Sequence, residues 1–97
     1  MSRVYNEDII KTFESCVLFR FKTLKELKKY FDMKMHYDKL KVKDIAEKSY
    51  YDSSDDSDYE ILITLGNDEE DVYDLTVYYA KTRIGDNIIV EMGYEEV

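Results

Sequence analysis

The residue types that could do chemistry in this sequence are few. There is one histidine, His36, and one cysteine, Cys16, among 97 residues. Neither sits in a nucleophile elbow, a Cys/His pairing, a P-loop or a dinucleotide fingerprint. Carboxylates are abundant, but acid/base work needs a pocket that perturbs their pKa values. These acids fall in loops and in the outward phase of strands, so they read as solvated groups and the chain reads as a non-enzyme. Cys16 lies beside Val17, Leu18 and Phe19, the setting of a small buried apolar residue. With no second thiol there is no internal disulfide, which suits a reducing cytoplasm.

Metal binding is the next chemistry to weigh. Asp55, Asp56 and Asp58, or Asp68, Glu69, Glu70 and Asp71, offer hard oxygen ligands for Ca²⁺ or Mg²⁺. Neither run has the spacing of an EF-hand loop or the glycine at its sixth position. No metal and no cofactor is expected.

The strongest signal is acid interleaved with tyrosine. Fourteen carboxylates fall after residue 50, together with Tyr51, Tyr59, Tyr73, Tyr78, Tyr79 and Tyr94. Tyrosine supplies a large rigid contact area with one polar end. Residues two apart on a strand share a face. Asp74, Thr76 and Tyr78 therefore line one exposed face, which Glu91 from a neighbouring strand can join. Tyr59, Tyr73, Tyr79 and Tyr94 fall in the apolar phase and are needed for the core. The residues expected to meet a partner are Asp55, Asp56, Asp58, Glu69, Glu70, Asp71, Asp74 and Glu91, with Tyr78 as the aromatic contact. Such a surface suits a partner whose own site is basic, and charge complementarity speeds the encounter.

Elements must hold these residues in place. The length fits a single domain over 1–97. Residues 1–50 carry 12 basic and 8 acidic side chains, a net of +4; residues 51–97 carry 2 and 14, a net of −12. The total of −8 hides this segregation, itself a signal of a partner. The first half, to residue 51, reads as helical. Asn6 can cap a helix carrying Glu7 and Asp8 in its first turn, with Ile9, Ile10, Phe13 and Cys16 or Val17 as its apolar stripe. Residues 16–21 fit either the end of that helix or a short extended segment. Thr23 and Glu26 form a capping box, followed by Leu24, Leu27 and Phe31 on one face. A third helix is expected over 41–49, with Val42, Ile45 and Ala46 inward.

An acidic link over 52–58 leads into strands. Tyr59, Ile61, Ile63 and Leu65 alternate with polar residues, as do Tyr73, Leu75, Val77 and Tyr79. Ile88, Val90, Met92 and Tyr94 give a third apolar phase. The expected fold class is α+β, with N-terminal helices packed on one face of a three-stranded antiparallel β-meander. No apolar run approaches a membrane span, and no secretory signal pattern opens the chain. The expected location is the bacterial cytoplasm.

Two resemblances follow from these residues. Val42-Lys43-Asp44-Ile45-Ala46-Glu47-Lys48-Ser49 resembles the first helix of a bacterial helix-turn-helix motif. A recognition helix should follow it, but aspartates do. The chain as a whole is similar in size, charge and tyrosine content to small acidic proteins of phages and mobile elements. These include anti-CRISPR proteins, anti-restriction proteins and uracil-DNA glycosylase inhibitors. Abundant Lys, Asp, Ile and Tyr, with AT-rich codons, fit a low-GC host. The likeness implies an inhibitor that occupies the nucleic-acid-binding surface of a host protein, such as a CRISPR nuclease complex. It rests on composition and layout and assigns no residue a role. The alternative is a small homodimeric regulator or structural adaptor pairing through its sheet edges. A third reading is a nucleic-acid binder using Lys25, Lys28, Lys29, Lys41 and Lys43.

Overall fold

The computed structural model describes residues 7–48 and 59–97. The expected Asn6 cap, Tyr51, and the acidic link with Asp55, Asp56 and Asp58 lie outside the described residues. The elements run α1 (Glu7–Ser15), β1 (Arg20–Phe21), α2 (Leu24–Met35), a 3-10 turn (His36–Asp38), β2 (Lys41–Lys48), β3 (Tyr59–Gly66), β4 (Asp71–Lys81) and β5 (Asn87–Glu96). The strands form one antiparallel sheet in the order β1-β5-β4-β3-β2. The class is α+β, with two α-helices and five strands among the described residues, rather than a three-stranded meander.

The helices follow from their capping and spacing. Thr23 Oγ1 accepts the Glu26 N–H at 3.2 Å, and the Glu26 carboxylate reaches back to the Lys22 N–H at 3.2 Å. Both ends of the expected box are made, the second on the residue before the cap. Leu27, Phe31 and Met35, four apart, are buried. On α1 the same role falls to Ile9 and Phe13, joined by Cys16 just past its end. Phe13 packs edge-on against Tyr73, with ring centroids 5.6 Å apart. Phe19 stacks on Tyr30 at 3.6 Å.

The expected helix over 41–49 is instead β2, so the likeness to a helix-turn-helix falls away. Val42 pairs with Leu65 and Ile45 with Ile63, with a bulge between Val42 and Asp44. A bulge puts one extra residue into the strand. Two inward residues then stand three apart, the spacing that also marks a helix face. Ala46, expected inward, is exposed. Residues 16–21 resolve as a turn and the two-residue strand β1, held by Leu18 N–H to Ile89 O at 2.7 Å and Ile89 N–H to Phe19 O at 3.0 Å.

A second bulge corrects the phase of β5. Tyr78 pairs with Glu91 and Tyr79 with Ile89, so Val90 is the extra residue. Ile89 is fully buried while Val90 is exposed. Met92 and Tyr94 keep the expected inward phase, and Tyr94 meets Phe13 at 5.5 Å. The core lies between the helices and this inner face, on which Ile61, Ile63, Leu65, Leu75 and Val77 are buried.

Candidate interaction face

Among the described residues no helix covers the opposite face of the sheet, and the register arranges its residues in three rows across the strands. In the first row Asp44 pairs with Thr64, Thr64 with Asp74, and Asp74 with Glu95. In the second, Ala46 pairs with Leu62, Leu62 with Thr76, and Thr76 with Gly93. In the third, Glu60 pairs with Tyr78 and Tyr78 with Glu91, while Lys48 is the register partner of Glu60 on β2. Neighbouring strands lie about 4.8 Å apart, so each row spans about 14 Å from β2 to β5.

This face is concave. A groove of about 580 Å³ is lined by Asp44, Leu62, Asp74, Thr76, Tyr78 and Glu95, among others. Leu62 is 44% exposed on it, an apolar side chain in the solvent-facing phase. Thr64 Oγ1 lies 3.5 Å from Asp74 Oδ1. Among the described residues, no lysine or arginine forms an ion pair with Asp44, Asp74, Glu91 or Glu95. The arginine of this side, Arg20 on β1, sits 3.8 Å from Asp86 instead.

The sequence-predicted acids divide. Asp74, Glu91 and Tyr78 come together on the open face. Glu69 and Glu70 lie exposed in the β3–β4 turn, and Asp71 lies exposed at the start of β4, at the sheet end nearest the first row. That turn is built on Asn67, whose Oδ1 accepts the N–H groups of Glu69 and Glu70 at 2.9 Å each. Gly66 is required there, since a Cβ would fall 2.3 Å from the Glu70 carbonyl oxygen. The turn is not a bare run of charge. Lys41 donates to the Asp68 carboxylate, and Lys43 Nζ donates to Asn67 O at 2.6 Å. The hydrogen bond and charge of Lys41 hold the Asp68 carboxyl below its ordinary range. Among the described residues, no group of three His, Cys, Asp or Glu side chains is placed to hold a metal.

Sequence reasoning missed Asp44, Glu95, Leu62 and Gly93. Asp44 was hidden in the expected helix. Gly93 and Glu95 carry the two-residue step on from Glu91 and were legible by alternation.

Elsewhere His36 is exposed in the 3-10 turn after α2, while Cys16 is enclosed and Tyr30 half-buried. The Cys16 thiol is buried, donates to Thr12 O at 3.2 Å, and is pushed up by burial. The Tyr30 phenol is pushed up by burial and by Cys16. Of the expected basic patch, Lys41 and Lys43 brace the acidic turn, and Lys28 pairs with Asp32 at 3.0 Å. Asp32 also accepts the Val42 N–H at 2.7 Å, occupying a donor on the edge strand β2. No described helix is long and apolar enough to cross a membrane. No family model matches the chain, and neither a curated protein nor a solved structure matches it.

Proposed function

We propose that this protein is a non-enzymatic inhibitor of phage or mobile-element origin. It acts in the host bacterial cytoplasm by binding a basic nucleic-acid-binding surface of a host defence or DNA/RNA-processing protein, of the class of CRISPR nuclease complexes. One observation carries the reading. A whole face of the sheet carries no helix among the described residues, and Asp44, Asp74, Glu91 and Glu95 stand on it beside Tyr78 without a described cationic partner. Carboxylates on a rigid sheet keep fixed spacings, as phosphates on a nucleic acid do. Nucleic acid itself is repelled by such a face, whereas a basic channel is attracted to it.

The test is charge reversal on the sheet. Asp74→Lys with Glu91→Lys should weaken a basic partner, a purified nuclease of a low-GC host, by about tenfold or more, as expected when close charge pairs are broken. Binding by the parent protein should weaken with salt and compete with DNA or guide RNA. Unchanged affinity for the reversed variant would sink the reading.

A further inference from the structure

The rows of the open face also describe the shape of what fits them. The middle row, Ala46, Leu62, Thr76 and Gly93, carries no charge and little height. The row on one side bears Asp44, Asp74 and Glu95. The row on the other bears Glu60, Tyr78 and Glu91, with Lys48 at its β2 end. The groove therefore has a low floor between a wall of three carboxylates and a wall formed by Tyr78, with Glu60 and Glu91 on the strands either side of it, and it runs across the strands. Asp74 and Tyr78 are four residues apart on β4, so the walls stand about 13 Å from each other at 3.3 Å per residue.

We infer that this groove receives one amphipathic helix of the partner, lying across the strands. The helix would set an apolar ridge on the floor and reach both walls with Lys or Arg side chains. The inference rests on the reading of this face as the binding surface, and it adds the form of the element bound there. A helix with its side chains is about 10–12 Å across, which matches the gap between the walls. A length of about 14 Å, the span of the four strands, takes nine to ten residues at about 1.5 Å each. That is long enough for apolar residues at i, i+3 or i+4, and i+7 to meet Leu62 and the space above Gly93. Charge selects the flanks, because basic side chains on one side of the ridge meet Asp44, Asp74 and Glu95, and on the other meet Glu91 and the Tyr78 ring. An extended strand is narrower and would leave one wall unmet.

Gly93 provides the decisive variant. Its φ is not in the left-handed region. A Cβ there would meet Thr76 and Tyr78 side-chain atoms at 3.8 Å, an ordinary contact. Gly93→Leu should therefore fold while filling the groove.

The probes are a synthetic 14-residue Leu/Lys peptide with its leucines at helical spacing, a scrambled peptide of the same composition, and polylysine. Each is titrated into the full chain, with amide NMR shifts as the readout. The ordered peptide should bind about tenfold more tightly than the scrambled one and shift the amides of Leu62, Thr76 and Gly93. Gly93→Leu should abolish that preference and leave polylysine binding unchanged. Leu62→Ser, which lowers the floor's apolar content without filling it, should reduce the preference severalfold. Equal binding of the two peptides, or no effect of either variant, would overturn the helix while polylysine binding still upheld the acidic face. If polylysine fails as well, the face is no docking surface and both readings fall. Self-association of the parent protein that Gly93→Leu abolishes would also overturn the inference, by giving the groove to a second copy.

Discussion

On one face of the sheet, Ile61, Ile63, Leu75 and Val77 lie beneath two helices and are at most 1% exposed. One step along the same strands, Leu62, Thr64, Thr76 and Tyr78 face away from the helices. The backbone is shared, so the contrast lies entirely in side chains and in what covers them. The covered face is chosen for volume: Phe13, Phe31, Leu27 and Met35 fill the space under the helices. The open face is chosen for charge and contour, with carboxylates in two rows and small residues between them. A sheet that needed only one good face for stability could carry any polar residues on its other side. Here that side carries more acid than base, with Lys48 and Arg20 on its two edge strands, together with a tyrosine and an exposed leucine.

The sharpest way to break this comparison is to truncate one large residue on each side. Phe31 is fully buried, and Phe31→Ala should cost about 3–5 kcal/mol through lost contacts and the cavity left behind. That is a large part of the 5–15 kcal/mol typical of a small domain. Leu62→Ala should change stability by no more than about 0.5 kcal/mol, as at other exposed sites. Urea unfolding followed by circular dichroism measures both. A Leu62→Ala loss comparable to that of Phe31→Ala would mean that the open face is a second core.

Two glycines give a smaller and signed version of the same comparison. At Gly66, Cβ would strike the Glu70 carbonyl oxygen and the Asp71 Cα, at 2.3 and 2.9 Å. Backbone must move, and Gly66→Ala should cost about 1–3 kcal/mol, as overpacking does. At Gly93 the nearest atoms are at 3.8 Å. Gly93→Ala should stabilise by about 0.5–1 kcal/mol, because glycine in a strand interior is entropically costly. Opposite signs are expected in thermal melts of the two variants. A destabilised Gly93→Ala would show that the groove floor is already tightly filled.

How far the sequence could be read follows from the same local physics. Helix α2 was legible because its cap is a short-range motif and its core residues repeat every four. Strands β3 and β4 were legible because strict alternation has one structural meaning. Strand β2 was not, since its bulge places Val42 and Ile45 three apart and imitates a helix. The bulge at Val90 likewise displaced the phase of Ile89. Strand β1 has two residues and exists through its pairing with Asn87 and Ile88, which no local pattern announces. On the open face, Asp74, Tyr78 and Glu91 were readable by alternation on β4 and β5. Asp44 was lost with β2. The bracing of the acidic turn by Lys41 and Lys43 joins residues 27 and 24 apart in the chain, so only the folded sheet brings them together.

That bracing gives the smallest expected effect and the one that separates the two acidic regions. Asp74 and Glu91 stand on the open face without a described ion pair, whereas Asp68 in the turn accepts a hydrogen bond from Lys41. The native carboxyl of Asp68 is held below its ordinary range. As pH falls, the unfolded chain therefore takes up this proton before the folded one does. The contribution is present above the unfolded pKa of about 3.9 and is lost as pH falls through the lower folded value. Lys41→Met should lower stability slightly at pH 7, and its difference from the parent protein should close below about pH 4. Urea midpoints at pH 7, 5 and 3 would show it. A constant difference across that range would mean that Lys41 acts through its hydrocarbon stem rather than through Asp68. The same variant leaves the rows of the open face intact while removing a cation beside them. It should therefore speed association with a basic partner at low salt. Asp74→Lys should slow that association, so one measurement of on-rates tells apart the acid that braces the turn and the acid presented to a partner.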